Sequence, residues 1–192
     1  MSFHVSIEGA KSHFQWIFLS RNRSIEEDAR MEIRKTRKEE IDQLLEIYEL
    51  AKAYMRRDGN PNQWPGAYPS REILEQDVET GHSFVGVVGD EIAFTFALFF
   101  EDEPNYQKID GSWLNSEEYA TIHRIASSGK YKGTLKAAID YAFEHCNNVR
   151  IDTHAENTTM RAALRKLDFH ETGIIWLANG DPRVSFHKIK ED

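Results

Sequence analysis

His123 and His154 are the imidazoles whose surroundings best suit proton transfer. His123 lies in the run Thr121-Ile122-His123-Arg124-Ile125-Ala126, and His154 ends the run Val149-Arg150-Ile151-Asp152-Thr153-His154. Imidazole ordinarily titrates near neutrality, so a histidine held on a strand is a candidate general base. Packing inside a sheet is the alternative use of His123. Strand alternation would put Arg150, Asp152 and His154 on one face, where the aspartate could orient the imidazole; a solvated polar face is the other reading. Between these two runs, Ser127-Ser128-Gly129-Lys130-Tyr131-Lys132-Gly133-Thr134 is small, polar and basic. Leu135, Ala138, Ile139, Ala142 and Phe143 then recur at helical spacing. A strand, a Gly/Lys turn and a helix N-terminus together make an anion site, because the first N–H groups of a helix lack partners and the macrodipole is positive there. A phosphate or pyrophosphate suits it. The alternative is a βα turn that uses glycine only for tightness.

Residues 1–30 show no sustained period and are expected to form an N-terminal extension, or to derive from an upstream start codon. Met31 opens the main domain, residues 31–192. Glu32–Lys35 reads as a strand, and Thr36-Arg37-Lys38-Glu39 as a capping box with Thr36 and Glu39 in the paired roles. The helix that follows puts Ile41, Leu44, Leu45, Tyr48, Ala51 and Met55 on one stripe. Residues 59–70 hold three prolines and no period, and Ser70 caps a short second helix. From His82 the period is two, with a Gly89-Asp90 hairpin turn and a central strand up to Phe100. Residues 101–116 read as a long loop. After the 119–126 strand and its helix come a strand at 149–154, a helix from Asn157, and strands near 171–177 and 183–189. The order predicts an α/β (α+β) fold: a mixed, mostly antiparallel central sheet flanked by helices.

Bulk properties narrow the functions. The chain has 192 residues, 40% hydrophobic and 29% charged, with a formal net charge of −8. That balance suits one globular domain and disfavours a basic nucleic-acid-binding surface. No apolar run is long enough for a membrane span, and Phe14–Leu19 lacks the flanks of a signal peptide. The single Cys146 excludes an internal disulfide and fits a reducing compartment. A cytoplasmic protein with no membrane or nucleic-acid partner is expected. Metal binding is not, since His123, Cys146 and His154 lack ligand-type spacing.

The strand order and several short motifs resemble the GNAT N-acetyltransferase superfamily over roughly residues 31–190. His123-Arg124-Ile125-Ala126-Ser127 is similar to the family's fourth strand. Lys132 falls on the first position of its R/Q-x-x-G-x-G/A motif, with Leu135 at the central glycine and Ala137 at the last position. Asn157 matches the asparagine that opens the last helix, and Lys166-Leu167-Asp168-Phe169 resembles K-L-G-F. Leu135 and Asp168 depart from the pattern, and Leu164 stands where many members have a tyrosine general acid.

The resemblance implies a sheet splayed between its fourth and fifth strands to admit acetyl-CoA. The pantetheine arm would pair near Ile125, Ala126 and Ser127, and the pyrophosphate would rest on the amides of Lys132, Gly133, Thr134, Leu135, Lys136 and Ala137. Asn157 would complete the cofactor site. It further implies acetyl transfer to a primary amine of a small molecule or peptide, with His123 and His154 as catalytic candidates. From the residues alone, Trp64 and Tyr68 in the 59–70 loop either wall a pocket, contacting the acceptor with Tyr106 of the 101–116 loop, or simply plug the core edge; Tyr106, Tyr119 and Tyr131 are the available replacements for the missing acid. A non-catalytic acyl-CoA-binding or regulatory domain is the alternative, and a homodimer is left open.

Overall fold

A computed structural model of the protein describes residues 31–191; the expected N-terminal extension lies outside them. The strands are β1 (Glu32–Lys35), β2 (Ser83–Val88), β3 (Glu91–Phe99), β4 (Ile109–Gly111), β5 (Ala120–Ser127), β6 (Asn148–Thr153), β7 (His170–Trp176) and β8 (Pro182–Ile189). The helices are α1 (Ile41–Arg57), α2 (Arg71–Glu79), α3 (Thr134–Phe143) and α4 (Thr158–Lys166). The strands form one sheet in the order β1-β2-β3-β5-β6-β8-β7-β4. β5 and β6 run parallel and the other neighbours antiparallel, so the expected mixed, mostly antiparallel sheet is present.

Apolar residues cover both faces of this sheet. Phe94, Phe96, Ile122, Ile151 and Phe186 pack with Ala138, Ile139 and Ala142 of α3 and Leu164 of α4. Ile41, Leu44, Ile47 and Tyr48 of α1 and Leu74 of α2 pack with Val85, Val87 and Ile92. The i, i+3 spacing of the α1 residues places them on one stripe, which explains why this helix lies flat on the sheet. On the face toward α3, Gly86 makes room for Phe94: a Cβ there would lie 1.8 Å from its Cε1.

Two expectations are corrected. Thr36 does not cap α1; its hydroxyl bonds the Ser83 hydroxyl at 2.7 Å, and Glu40 accepts the Arg37 backbone N–H at 2.8 Å while pairing with Arg34 at 2.6 Å. A tertiary partner in the sheet outcompetes the local cap. The 101–116 stretch is also more than a loop, because Ile109–Gly111 pairs with Gly173–Ile175 as the far edge strand β4.

The return from β4 to β5 is fastened by a buried histidine. His187 Nδ1 accepts the Leu114 N–H at 3.2 Å, so Nε2 carries the proton and donates to Asn148 Oδ1 at 3.1 Å. Burial, aided by the nearby Arg150 charge, lowers the His187 pKa to about 4. The folded state therefore binds fewer protons here than the unfolded state, whose imidazole keeps its ordinary value of 6.5. This contribution is complete above the unfolded value and declines as pH falls toward 4. Urea unfolding at about pH 7 and about pH 4.5 should show a steeper loss for wild type than for His187→Gln. Equal slopes would remove His187 from the acid sensitivity.

Candidate active site

β5 and β6 are paired only at Ala120–Val149 and Thr121–Arg150. Beyond Thr121 they part, and two local features steer β5 away. Its register against β3 shifts between Thr95 and Ala97, and opposite the shift Arg124 takes φ +52°, the left-handed region. A bulge bends its strand and increases twist. The bend is held by contacts from the helical layer. Arg124 grips Asp77 of α2 through Nε at 3.0 Å and Nη2 at 2.8 Å, and its Nη1 reaches the Tyr68 hydroxyl at 3.4 Å. The Tyr48 hydroxyl donates to the Arg124 carbonyl at 2.9 Å. Burial opposes charge on Arg124, but Tyr68, Asp77 and Tyr48 more than offset it and raise its pKa. The expected splay is present, and its cause is this buried fastening.

A cavity of about 530 Å³ opens where the strands part. Trp64 and Tyr68 form part of its wall with Phe99, Ile122 and Ile125. His123 faces into it from β5. Its Nε2 lies 3.0 Å from Glu103 Oε2, and its Nδ1 lies 3.8 Å from Asp152 Oδ1. Glu103 is fixed in turn: Oε1 accepts the Asn105 N–H at 3.1 Å and Nδ2 at 2.6 Å, while the Glu103 N–H donates to the Tyr119 hydroxyl at 3.0 Å. Burial pushes the Glu103 carboxyl up, but the His123 hydrogen bond and charge and the Asn105 donors outweigh it and lower its pKa to about 2. Glu103 is thus a carboxylate at neutral pH. With Nε2–H given to Glu103, a neutral His123 presents its Nδ1 lone pair as the basic position.

Tyr106 does not line the cavity. It is buried beside it, where its hydroxyl donates to Asp152 Oδ1 at 2.8 Å. Burial and the neighbouring Asp152 charge raise its pKa well above the ordinary value. Tyr106 therefore orients the aspartate. His154 is not brought to the cavity; its Nδ1 accepts the Glu156 N–H at 3.3 Å. Asp152 serves His123 across the strands instead, and Arg150 lies between the Trp113 and Tyr119 rings, 4.3 and 3.8 Å from their centroids. Tyr131 lies elsewhere, with its hydroxyl on Glu91 at 2.8 Å.

Two residues escaped the sequence reading. Glu103 sits among Glu101 and Asp102, where an acidic run ordinarily signals a solvated surface. Gln63 joins three elements: its Oε1 accepts from Asn60 at 2.9 Å, Thr153 at 3.1 Å and Asn157 at 2.7 Å. Asn157 also caps α4, accepting the Met160 N–H at 3.0 Å. Its position at the last helix was legible, but its link to the 59–70 loop was not.

The turn after β5 leads to α3 with Gly133 as N-cap at φ +76°, a conformation that favours glycine. Thr134, Leu135 and Lys136 follow as the first helical turn, whose amides have no intrahelical acceptor. The Leu135 side chain packs against the core between α3 and the sheet, and Ala137 does likewise. Lys132 and Lys136 are exposed; Lys136 pairs with Asp140 at 2.6 Å. Beside this turn, the edge of β5 from Ile125 through Ala126 to Ser127 has no strand partner on the β6 side among the described residues.

No family model and no curated protein matches the sequence. Solved structures do match. The GNAT-family acetyltransferase from Listeria monocytogenes 4b F2365 has a TM-score of 0.62 at 15% identity, covering 83% of this chain and 95% of its own. One from Bacillus cereus ATCC 10987 has a TM-score of 0.56 at 15% identity, covering 85% and 99%. Both likenesses concern the fold. The GNAT-family acetyltransferase from Streptococcus agalactiae 2603 is nearer: TM-score 0.76 and 32% identity over 84% of this chain and 96% of that one. The architecture is that of an acetyltransferase with a divided sheet. The chain belongs to the GNAT acetyltransferase family.

Proposed function

We propose that the protein transfers an acetyl group directly from acetyl-CoA to a primary amine of a small molecule or peptide. The observation that supports this most is His123, set between Glu103 and Asp152 in a cavity at the parting of β5 and β6. The amine must lose a proton before its lone pair can attack the thioester carbon. His123 Nδ1 takes that proton, and the imidazolium is then flanked by two carboxylates. As nitrogen bonds to the carbonyl carbon and the C–S bond breaks, the imidazolium proton passes to the departing thiolate, and the neutral His123 then takes the second proton from the acylated nitrogen and releases it to solvent.

The chain's residues fit acetyl-CoA as the donor. The exposed edge Ile125–Ser127 can pair with an extended pantetheine arm, as added strands pair with sheet edges. The first-turn amides from Thr134 to Lys136, preceded by Lys132 and Gly133, suit the pyrophosphate. Leu135 in the usual glycine position leaves this reading intact, since its side chain turns to the core and the amide is the donor. Asn157 holds the opposite helix against the same gap. Leu164 is fully buried and gives no proton, so the acid–base work falls to His123. His154, half-buried outside the cavity, would act only through a bound partner that brings it closer.

Calorimetric titration with acetyl-CoA, followed by thiol release over a panel of primary amines, tests the proposal. Binding with amine-dependent thiol release is expected. Binding without turnover on any amine would leave an acyl-CoA-binding domain in its place.

A further inference from the structure

We infer that the acceptor is an amino carboxylate of amino-acid or dipeptide size, its carboxylate received by Arg183; this rests on the acetyltransferase reading above. Two arginines line the cavity, Arg124 and Arg183, and they are used differently. Arg124 is committed to Asp77 and Tyr68. Arg183 is 5% exposed, yet its single side-chain hydrogen bond among the described residues runs from Nη1 to the Pro182 carbonyl at 2.9 Å. No carboxylate among the described residues lies within ion-pair distance of it. Asp181, two residues away, is exposed and occupied with Asn179 at 2.9 Å. The side chain is nearly buried with no anion beside it among the described residues, while Nε and Nη2 are unbonded there yet not sealed from solvent, so an anion in the cavity that Arg183 lines can reach them. Its planar fork matches a carboxylate.

Sheet register places this charge usefully. Asp152 pairs with Ser185 across β6 and β8, and alternation puts Arg183 on the same face two residues along. Such diagonal neighbours lie about 7–8 Å apart at the backbone. The cavity therefore offers Glu103 and Asp152 around His123, which favour an ammonium group, and Arg183 one diagonal step from Asp152 on the same face of the sheet. A molecule bearing an amine and a carboxylate a few atoms apart satisfies both. Trp64, Tyr68 and Phe99 between them favour an apolar body.

The test uses matched acceptors: phenylalanine, phenylalanylglycine and phenethylamine, which lacks the carboxylate. Wild type should acetylate one of the carboxylates with a kcat/KM on the order of 100-fold above phenethylamine, mostly through KM. Arg183→Gln should collapse that ratio toward one, and Arg183→Lys should restore part of it. Coenzyme A affinity, measured in parallel, reports whether the variants fold. Equal use of phenethylamine by wild type, or a ratio unchanged in Arg183→Gln, overturns the inference. If no amine is acetylated, the transfer reading fails separately. Calorimetry with N-acetylphenylalanine then decides the carboxylate site: loss of binding in Arg183→Gln supports it, and absence of binding to wild type rejects it.

Discussion

His123→Ala is expected to reduce kcat/KM for acetyl transfer by on the order of 10²–10³-fold, the usual contribution of a positioned acid–base group. Coenzyme A binding should persist, because the β5 edge and the α3 turn that would hold it lie beyond the histidine. The loss should appear in kcat more than in KM, since the imidazole acts on a proton in flight and supplies little ground-state grip. Glu103→Gln should produce a smaller fall, because glutamine can still receive Nε2–H but cannot balance the imidazolium charge. The Glu103 pKa of about 2 adds a signature. Its stabilising effect is complete above the ordinary value of 4.5 and is lost as pH falls through the folded value, so Glu103→Gln should flatten acid unfolding there. Wild-type rates in His123→Ala would remove the histidine from the chemistry.

Asp77→Ala should be the most damaging single change to the fold near the site, costing about 3–5 kcal/mol. The cost comes from the arginine left behind more than from the pair itself. Arg124 would remain buried with its fork facing an empty place, and its left-handed backbone would lose the grip that holds it. A double variant, Asp77→Ala with Arg124→Ala, should recover part of the stability, because removing both charges cancels the desolvation term. Denaturant unfolding of the single and double variants measures this. A loss below about 1 kcal/mol in Asp77→Ala would mean that solvent screens the pair after all. Reduced acetyl transfer is also expected in the single variant, since the bulge beside His123 would relax.

Much of this was readable from the sequence, for physical reasons that can be named. The β5–α3–β6 region declared itself because the apolar period changes from two to helical across a glycine-containing turn, and no tertiary contact is needed to produce that signal. The hairpin at Gly89-Asp90 was equally local. Strand β4 was hidden because its three residues, Ile109–Gly111, have no period of their own and become a strand only against β7. The Thr36 cap failed because Ser83, distant in sequence, claims the hydroxyl. At the site, His123 stood out by its residue type and strand. Glu103 did not, since the chain has a cluster of acids there and only the fold selects which one turns inward. Arg124 in the left-handed region could not be inferred from an ordinary strand-forming run. Arg183 looked like one more charge on the last strand until burial without an anion separated it from the rest.

The segment between β3 and β5 leaves the middle of the sheet, reaches its far edge as β4, and returns to the place beside its departure. Glu103 rides the outward limb, while Leu114 and Asn115 on the return limb are moored to His187 and Asn148. The opposite wall is tied down as well, through Gln63 to Thr153 and Asn157. The turn between β7 and β8 also lines the cavity, and its hydrogen bonds run from Leu177 and Gly180 and between Asn179 and Asp181 within the turn itself. The residue at the foot of that turn is Arg183. If Arg183 receives the acceptor's carboxylate as inferred above, a change in this turn would be felt directly at the group that selects the acceptor.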